Sequence, residues 1–312
     1  MIISVSRRND IPAFFSEWFY NRIKEGFVLV RNPMNPHQIS EITLRPDVVD
    51  CFVFWTKNPE HMIPKLCILN ERSYKYYFQF TLNSYDKTIE PNVPPKKNLI
   101  ETFITLSEAI GKDKVIWRYD PILLTEKFSV EYHKKYFEYL MSKLHRHTRK
   151  CVISFLDFYK KCQRNMKSVT PISPNDTMML EIAKELQEIA NNYGIIIETC
   201  SEEVELASIG INHGKCIDDQ LIEKICNGKI NVKKDKNQRA VCGCVESIDI
   251  GAYNTCNHGC LYCYANFNKK IVAENYEKHN PSSPLLFGEV GPSDKINKRK
   301  MKSIIDRQLD LL

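Results

Sequence analysis

The chain predicts a parallel α/β fold, a (β/α) barrel that is full or partial. Three observations carry this. Short β-branched or aromatic runs alternate with helical patterns along most of the length. The seven or eight units so formed suit a barrel better than a doubly wound open sheet, which is the alternative. Polar or charged residues recur where the apolar runs stop, and parallel α/β folds build their sites there.

The elements follow in order. Strands are expected at 2–6, 49–55, 76–82, 114–118, 151–156, 194–199 and 246–251, with a weaker one at 27–31. Helices are expected between them at 13–25, 60–69, 97–110, 130–147, 175–192 and 217–226. Ser129 and Asn175 read as N-caps of two of these. Residues 227–239 are polar and lysine-rich and read as an exposed connection, as do 278–284. The expected organisation is one barrel domain over 1–270 with a cysteine loop at 253–265. A C-terminal helical extension follows over 271–312. In it, the basic run Lys295 to Lys302 reads as the solvated face of an amphipathic helix with Ile296, Ile304, Ile305 and Leu309 on its apolar side.

At 312 residues, 43% hydrophobic and 26% charged, the composition is that of a globular domain with a sizeable core. No run of about 18 apolar residues appears, so no membrane span is expected. The first residues lack the basic-then-apolar order of a signal peptide, and a cytoplasmic location is expected. Twelve cysteines in such a chain argue for metal or redox chemistry over a disulfide framework. The net charge of +6 permits nucleic-acid binding without demanding it.

Cys256, Cys260 and Cys263 form a CxxxCxxC run within eight residues. Three thiolates on one short loop suit three irons of a 4Fe-4S cube, leaving the fourth iron without a protein ligand. The competing readings are a structural zinc site, which usually pairs its cysteines as CxxC twice, and buried or redox thiols. Four further cysteines, Cys200, Cys216, Cys242 and Cys244, are candidate ligands of a second 4Fe-4S cluster or a zinc ion. Against this stands an expected separation, with Cys200 at the top of one strand and Cys242 and Cys244 at the base of another. Packing as small hydrophobes is the plain alternative. Strand ends supply candidate binding residues: Ser6 and Arg7, Lys57, Asn83, and Arg118 with Asp120. Arg118 suits a carboxylate through its planar fork, or makes only a local ion pair.

The run CNHGCLYCYA resembles the cluster loop of spore photoproduct lyase-like enzymes of the radical S-adenosylmethionine (SAM) superfamily. VFWTKNPEHMIPKL, FQFTLNSYDKTIEPNVPP and WRYDPILL resemble later strands of that family with their turns. The cysteine loop follows the last strand here, so the resemblance implies a circularly permuted barrel in which 246–251 takes the first place and 2–6 the second. The whole chain is also similar to an uncharacterised bacterial family, a domain of unknown function with a C-terminal cysteine cluster. The first resemblance implies a 4Fe-4S cluster, SAM, and reductive cleavage to a 5′-deoxyadenosyl radical. Tyr262 would then stand at the position that meets the SAM adenine, and Lys57 where a lysine approaches SAM. Residues 6–10 replace the usual glycine-rich segment. A flavodoxin or ferredoxin reductant is implied. The substrate is unnamed, with nucleic acid one class in view. A zinc-stabilised nucleic-acid-binding protein and a thiol redox protein remain as other readings.

Overall fold

The computed structural model describes residues 1–157 and 165–306. Eight strands form one sheet: β1 (Ile2–Val5), β4 (Cys51–Thr56), β5 (Tyr76–Thr81), β6 (Val115–Ile122), β7 (Lys150–Phe155), β8 (Ile196–Thr199), β9 (Asn212–His213) and β10 (Ile248–Asp249). Their spatial order is β10-β1-β4-β5-β6-β7-β8-β9, and every pairing is parallel. β9 and β10 are the two ends of this sheet, so the barrel is partial.

The central strands β1, β4, β5, β6 and β7 are buried because they carry mostly apolar residues on both faces, while β9 and β10 at the ends are short and more polar. One face carries Ile3, Phe52, Phe54, Phe78, Trp117 and Ile153 into the main core beneath the helices. Against it pack α2 (Ser16–Glu25), α4 (Lys96–Ile110), α5 (Val130–Leu144) and α6 (Asp176–Tyr193). Phe19 meets Phe52 and Phe54 edge-on, and Trp117 stacks on Phe137. The alternate residues Ile2, Val53, Tyr77, Ile116 and Val152 point the other way. They form a second core with Cys216, Ile217, Ile222, Cys242, Cys244 and Val245. The segment between β9 and β10, which carries α7 (Asp219–Cys226), therefore lies across the inner face of the sheet. Ser129 and Asn175 cap α5 and α6 as expected, each side chain accepting from the backbone N–H three residues on.

Three expectations need correction, and a weak one is met together with an unexpected strand. The helix at 13–25 is broken at Phe15 into α1 (Ile11–Phe14) and α2, with Asp10 capping the short first piece. The helix at 60–69 becomes a 3-10 turn, Ile63–Lys65, followed by α3 (Leu66–Glu71), because Pro64 disturbs its start. The weak strand at 27–31 is real: β2 (Phe27–Asn32) pairs with an unexpected β3 (Asn35–Thr43) in a hairpin. The basic run does not form a helix. Lys295–Lys298 is strand β11, parallel to β3, and its ladder partners run from Gln38 to Glu41. Ser303 and Ile304 donate to the Asp50 carboxylate, and Ile305 bridges to Ile230, so that part is extended and tied down. Leu309 lies outside the described residues. Among those residues, α8 (Lys269–Glu277) is the helical part of the extension. No helix among them is long and apolar enough to cross a membrane.

Candidate metal centre

The joint between β10 and β1 positions the cysteine loop. Asp249 accepts from Ser4 Oγ at 2.9 Å, Ser6 Oγ at 2.6 Å, Arg7 N at 2.8 Å and Gly251 N at 3.0 Å. One carboxylate thus locks the last strand of the sheet to the first in sequence. Gly251 is required there: a Cβ on it would lie 2.1 Å from Ser6 Oγ and 2.4 Å from Asn9 Oδ1. Beyond it the loop closes on itself through Asn254 N to Ala265 O at 2.9 Å. It is clamped to the segment after β5 by Leu261 N to Ile89 O at 3.0 Å, Asn92 N to His258 O at 3.1 Å and Asn92 Nδ2 to Asn257 O at 2.7 Å. Gly259 takes the left-handed φ of 69° between Cys256 and Cys260. Asp10 ties the loop to two strand ends, accepting from Lys57 N at 2.6 Å and meeting His258 Nε2 at 2.8 Å.

The loop keeps its thiols together. Cys260 is buried, and Cys256 and Cys263 are partly so. Burial pushes the Cys256 thiol well up, with Asp10 and the other two thiols adding to it. Burial likewise pushes Cys260 up to about 12, against the pull of Lys57. Cys263 is raised by burial, against the backbone N–H groups of Ala265 and Asn266. Three thiols in mutual electrostatic range, in a place hostile to free thiolates, fit a site whose cation replaces their protons. Among the described residues, no three His, Cys, Asp or Glu side chains surround a point suited to one metal ion. A cube, which gives each thiolate its own iron, does not need that convergence.

Beside the loop runs a buried polar cluster. Lys57 Nζ donates to Glu90 Oε1 at 2.8 Å, and Lys96 and the Tyr262 hydroxyl also donate to the Glu90 carboxylate. Asn83 Nδ2 donates to Tyr262 OH at 3.2 Å and to Asp120 O at 2.9 Å. Glu90 is 1% exposed. Burial alone would raise its pKa, but Lys57 and Lys96 outweigh that and hold it below the usual carboxylate range. Burial opposes the charge on Lys57 too, yet Glu90 and then Cys260 raise it on balance; Lys96 is lowered by burial despite Glu90. Lys57, Asn83 and Tyr262 are therefore brought together, whereas Asp120 reaches the cluster only through its backbone carbonyl, its carboxylate facing Arg118 and Ser154.

Ser6, Arg7 and Arg118 are not in that cluster. Ser6 is engaged with Asp249. The Arg7 guanidinium reaches Ser247 Oγ at 3.2 Å and Asp235 at 3.6 Å. Arg118 lies on the inner face, donating from Nε to Asp120 Oδ2 at 3.0 Å and from Nη1 to Cys216 Sγ at 2.8 Å. A hollow of about 240 Å³ touches Cys256 and Cys260, but Asn92, Asn165, Asn266 and Lys269 line it, not Lys57 or Arg118. A larger one of about 770 Å³ near His258 is lined by His61, His279, Glu17 and Asn58, away from the thiols. Among the described residues, three side chains beside the loop have buried polar atoms without a hydrogen-bond partner: both side-chain atoms of Asn9, Nδ1 of His258 and Oδ1 of Asn266. Buried polar atoms normally find a partner in protein, water or a ligand, so these are open to one.

The other four cysteines also meet, against the expected separation. Cys200 Sγ stands 3.2 Å from Cys216 Sγ. Cys216 also contacts the Cys244 thiol, and Cys244 contacts Cys242. The separation fails because the segment from β9 to β10 crosses the inner face and carries Cys216, Cys242 and Cys244 to the end of β8. Asp10 and His258 were marked only as members of stretches, residues 6–10 and the cysteine run, and Glu90 only by the acidic-proline turn that holds it; Asp249 was not singled out from sequence.

Fold and site together define a partial α/β barrel with a three-cysteine loop at the carboxyl end of one sheet strand. The chain belongs to the family described as a domain of unknown function (DUF1848), whose profile matches residues 2–265. No curated protein matches. Among solved structures, a Bacteroides thetaiotaomicron protein provisionally described as an alpha-L-fucosidase is similar at 11% identity and a TM-score of 0.27. That match covers 49% of this chain and 62% of that one. So low a score carries no argument about fold or activity.

Proposed function

We propose that the protein is a radical SAM enzyme. One observation carries the reading: CxxxCxxC thiols held together at the end of β10, against the ends of β1 and β4. On this reading β10 occupies the first place of a circularly permuted barrel and β1 the second. Cys256, Cys260 and Cys263 would each hold one iron of a 4Fe-4S cluster. When bound, the cluster supplies the electron that splits SAM into methionine and a 5′-deoxyadenosyl radical, which takes hydrogen from a substrate. Lys57 and Lys96 carry two positive charges against the one of Glu90, and this surplus offsets the thiolates of the loop. Tyr262, fixed by Glu90 and Asn83, offers its backbone to the adenine. The unpartnered Asn9 amide at the end of β1 suits the amino-acid end of SAM. A flavodoxin or ferredoxin would be the reductant. Nucleic acid is a substrate class to screen, beside peptides and small metabolites.

The test is anaerobic reconstitution with iron and sulfide, followed by mass-spectrometric detection of 5′-deoxyadenosine and methionine after reduction. The expected result is broad visible absorption that bleaches on reduction, SAM cleavage, and loss of both in Cys260→Ala. Stoichiometric zinc in the loop with no visible absorption would refute the reading in favour of a zinc-stabilised binding protein.

A further inference from the structure

We infer that Cys200, Cys216, Cys242 and Cys244 bind one zinc ion on the inner face of the sheet. Three separate stretches of chain deliver them: the end of β8, the turn after β9, and the approach to β10. Their sulfurs form a continuous chain of contacts, Cys200 to Cys216 to Cys244 to Cys242. Nothing in side-chain packing alone asks four thiols from three segments to meet. Apolar side chains of similar size would fill the same space without weak donors facing each other.

The Cys200–Cys216 spacing favours a single zinc ion over a second cube. Zn–S bonds of about 2.3 Å in a tetrahedron put sulfurs about 3.8 Å apart. Cys200 and Cys216 stand at 3.2 Å, so binding needs only a small outward movement of the thiols. This movement also accounts for the lack of a ready-made ion position among the four. A second cube would demand far more, since each thiolate must retreat to its own iron.

The surroundings suit a tetrathiolate ion, whose net charge is −2. Arg118 Nη1 donates to Cys216 Sγ at 2.8 Å, and Ile217 N donates to Cys244 Sγ at 3.3 Å. The Arg7 guanidinium lies in electrostatic range of Cys244. Such donors to ligand atoms are the usual outer support of a metal site. The Cys216 carbonyl is fixed by Tyr77 OH at 2.7 Å and Gln79 Nε2 at 2.9 Å. Gly243 allows the close approach of the other segment, since its Cβ would come 3.1 Å from Lys215 Cγ. Binding transfers the four thiol protons to water and moves no electron. The ion would staple the segment between β9 and β10 to β8, and so fix the base from which the cysteine loop springs.

The whole chain is expressed with zinc supplementation and purified anaerobically, and zinc is counted by mass spectrometry. Wild type and the triple variant Cys256→Ala/Cys260→Ala/Cys263→Ala should each hold about one zinc per chain, with four sulfurs at about 2.3 Å by zinc K-edge absorption. Cys216→Ser and Cys244→Ser should lose the zinc and still load iron at the other loop. Wild type without zinc overturns the inference, as does zinc with fewer than four sulfur ligands. A mapped Cys200–Cys216 disulfide in the anaerobic protein does so too. These readings use wild type, so they hold even if variants misfold. Failure of the radical SAM reading would remove iron and SAM cleavage and leave the zinc count unchanged.

Discussion

Replacing Glu90 by Gln keeps the shape of the side chain and removes the charge that two buried lysines share. Lys57 Nζ and Lys96 Nζ then face an amide, and the Tyr262 hydroxyl loses its ionic acceptor. Stripping one partner from a buried ion pair costs about 3–5 kcal/mol. The Lys96 side chain is 25% exposed and recovers some hydration, so the lower figure, about 3 kcal/mol, applies. For a chain of this size about 2 °C is lost per kcal/mol, which gives a fall in Tm of about 6 °C. Thermal unfolding followed by circular dichroism at neutral pH measures it. The pH dependence has a definite sign. A carboxylate held below its ordinary pKa stabilises fully above about 4.5 and loses that contribution as pH falls through the lowered value. The gap between wild type and Glu90→Gln should therefore be flat from about pH 5 to 8 and close in stronger acid. Adding Lys96→Met to Glu90→Gln should restore part of the loss, because one uncompensated charge goes. A Glu90→Gln protein within about 1 °C of wild type at neutral pH would refute the claim that this cluster is an energetic unit.

Three further outcomes are expected. Gly251→Ala drives a Cβ into Ser6 and Asn9, costing at least about 1–3 kcal/mol and lowering iron uptake in reconstitution, both read directly. His133 is fully buried between Tyr119 OH and Leu123 O, and burial lowers its pKa from 6.5 to about 4. A depressed histidine stabilises above about 6.5, and about 3 kcal/mol should be lost between there and pH 4; His133→Gln should flatten that limb of the Tm profile. Lys57→Ala should weaken SAM binding in anaerobic calorimetry while the reconstituted iron content stays that of wild type, and loss of iron would assign Lys57 to the cluster itself.

What was readable in sequence follows from where the physical signal resides. β1, β4, β5, β6, β7 and β8 were legible because their burial leaves short runs rich in β-branched and aromatic residues. β3 and β11 were not, since Asn35–Thr43 and Lys295–Lys298 are largely polar and are strands through their ladders, β3 with β2 and β11 with β3. Lys57 and Tyr262 were legible from a strand end and a motif. Asp10 was legible only as part of the stretch 6–10, and Asp249 not at all, because a single carboxylate has no period and its partners lie on other strands. The four inner cysteines were visible as an inventory. Their meeting depends on the path of residues 216–245 across the sheet, which local pattern does not encode.

The contact between Ser4 and Asp249 spans 245 positions, and it joins β1 to the strand that carries the metal loop. During synthesis β1 emerges early and must wait for nearly the whole chain before that neighbour exists. Until then one side of the sheet is an open row of backbone donors and acceptors, the kind of edge that recruits other chains. Docking of the two-residue β10 covers that edge of β1, and the same event seats the cysteine loop against Asp10 and Glu90. Covering the edge of β1 and seating the cysteine loop are thus one folding step, and a chain truncated before residue 246 would be expected to aggregate through the uncovered β1.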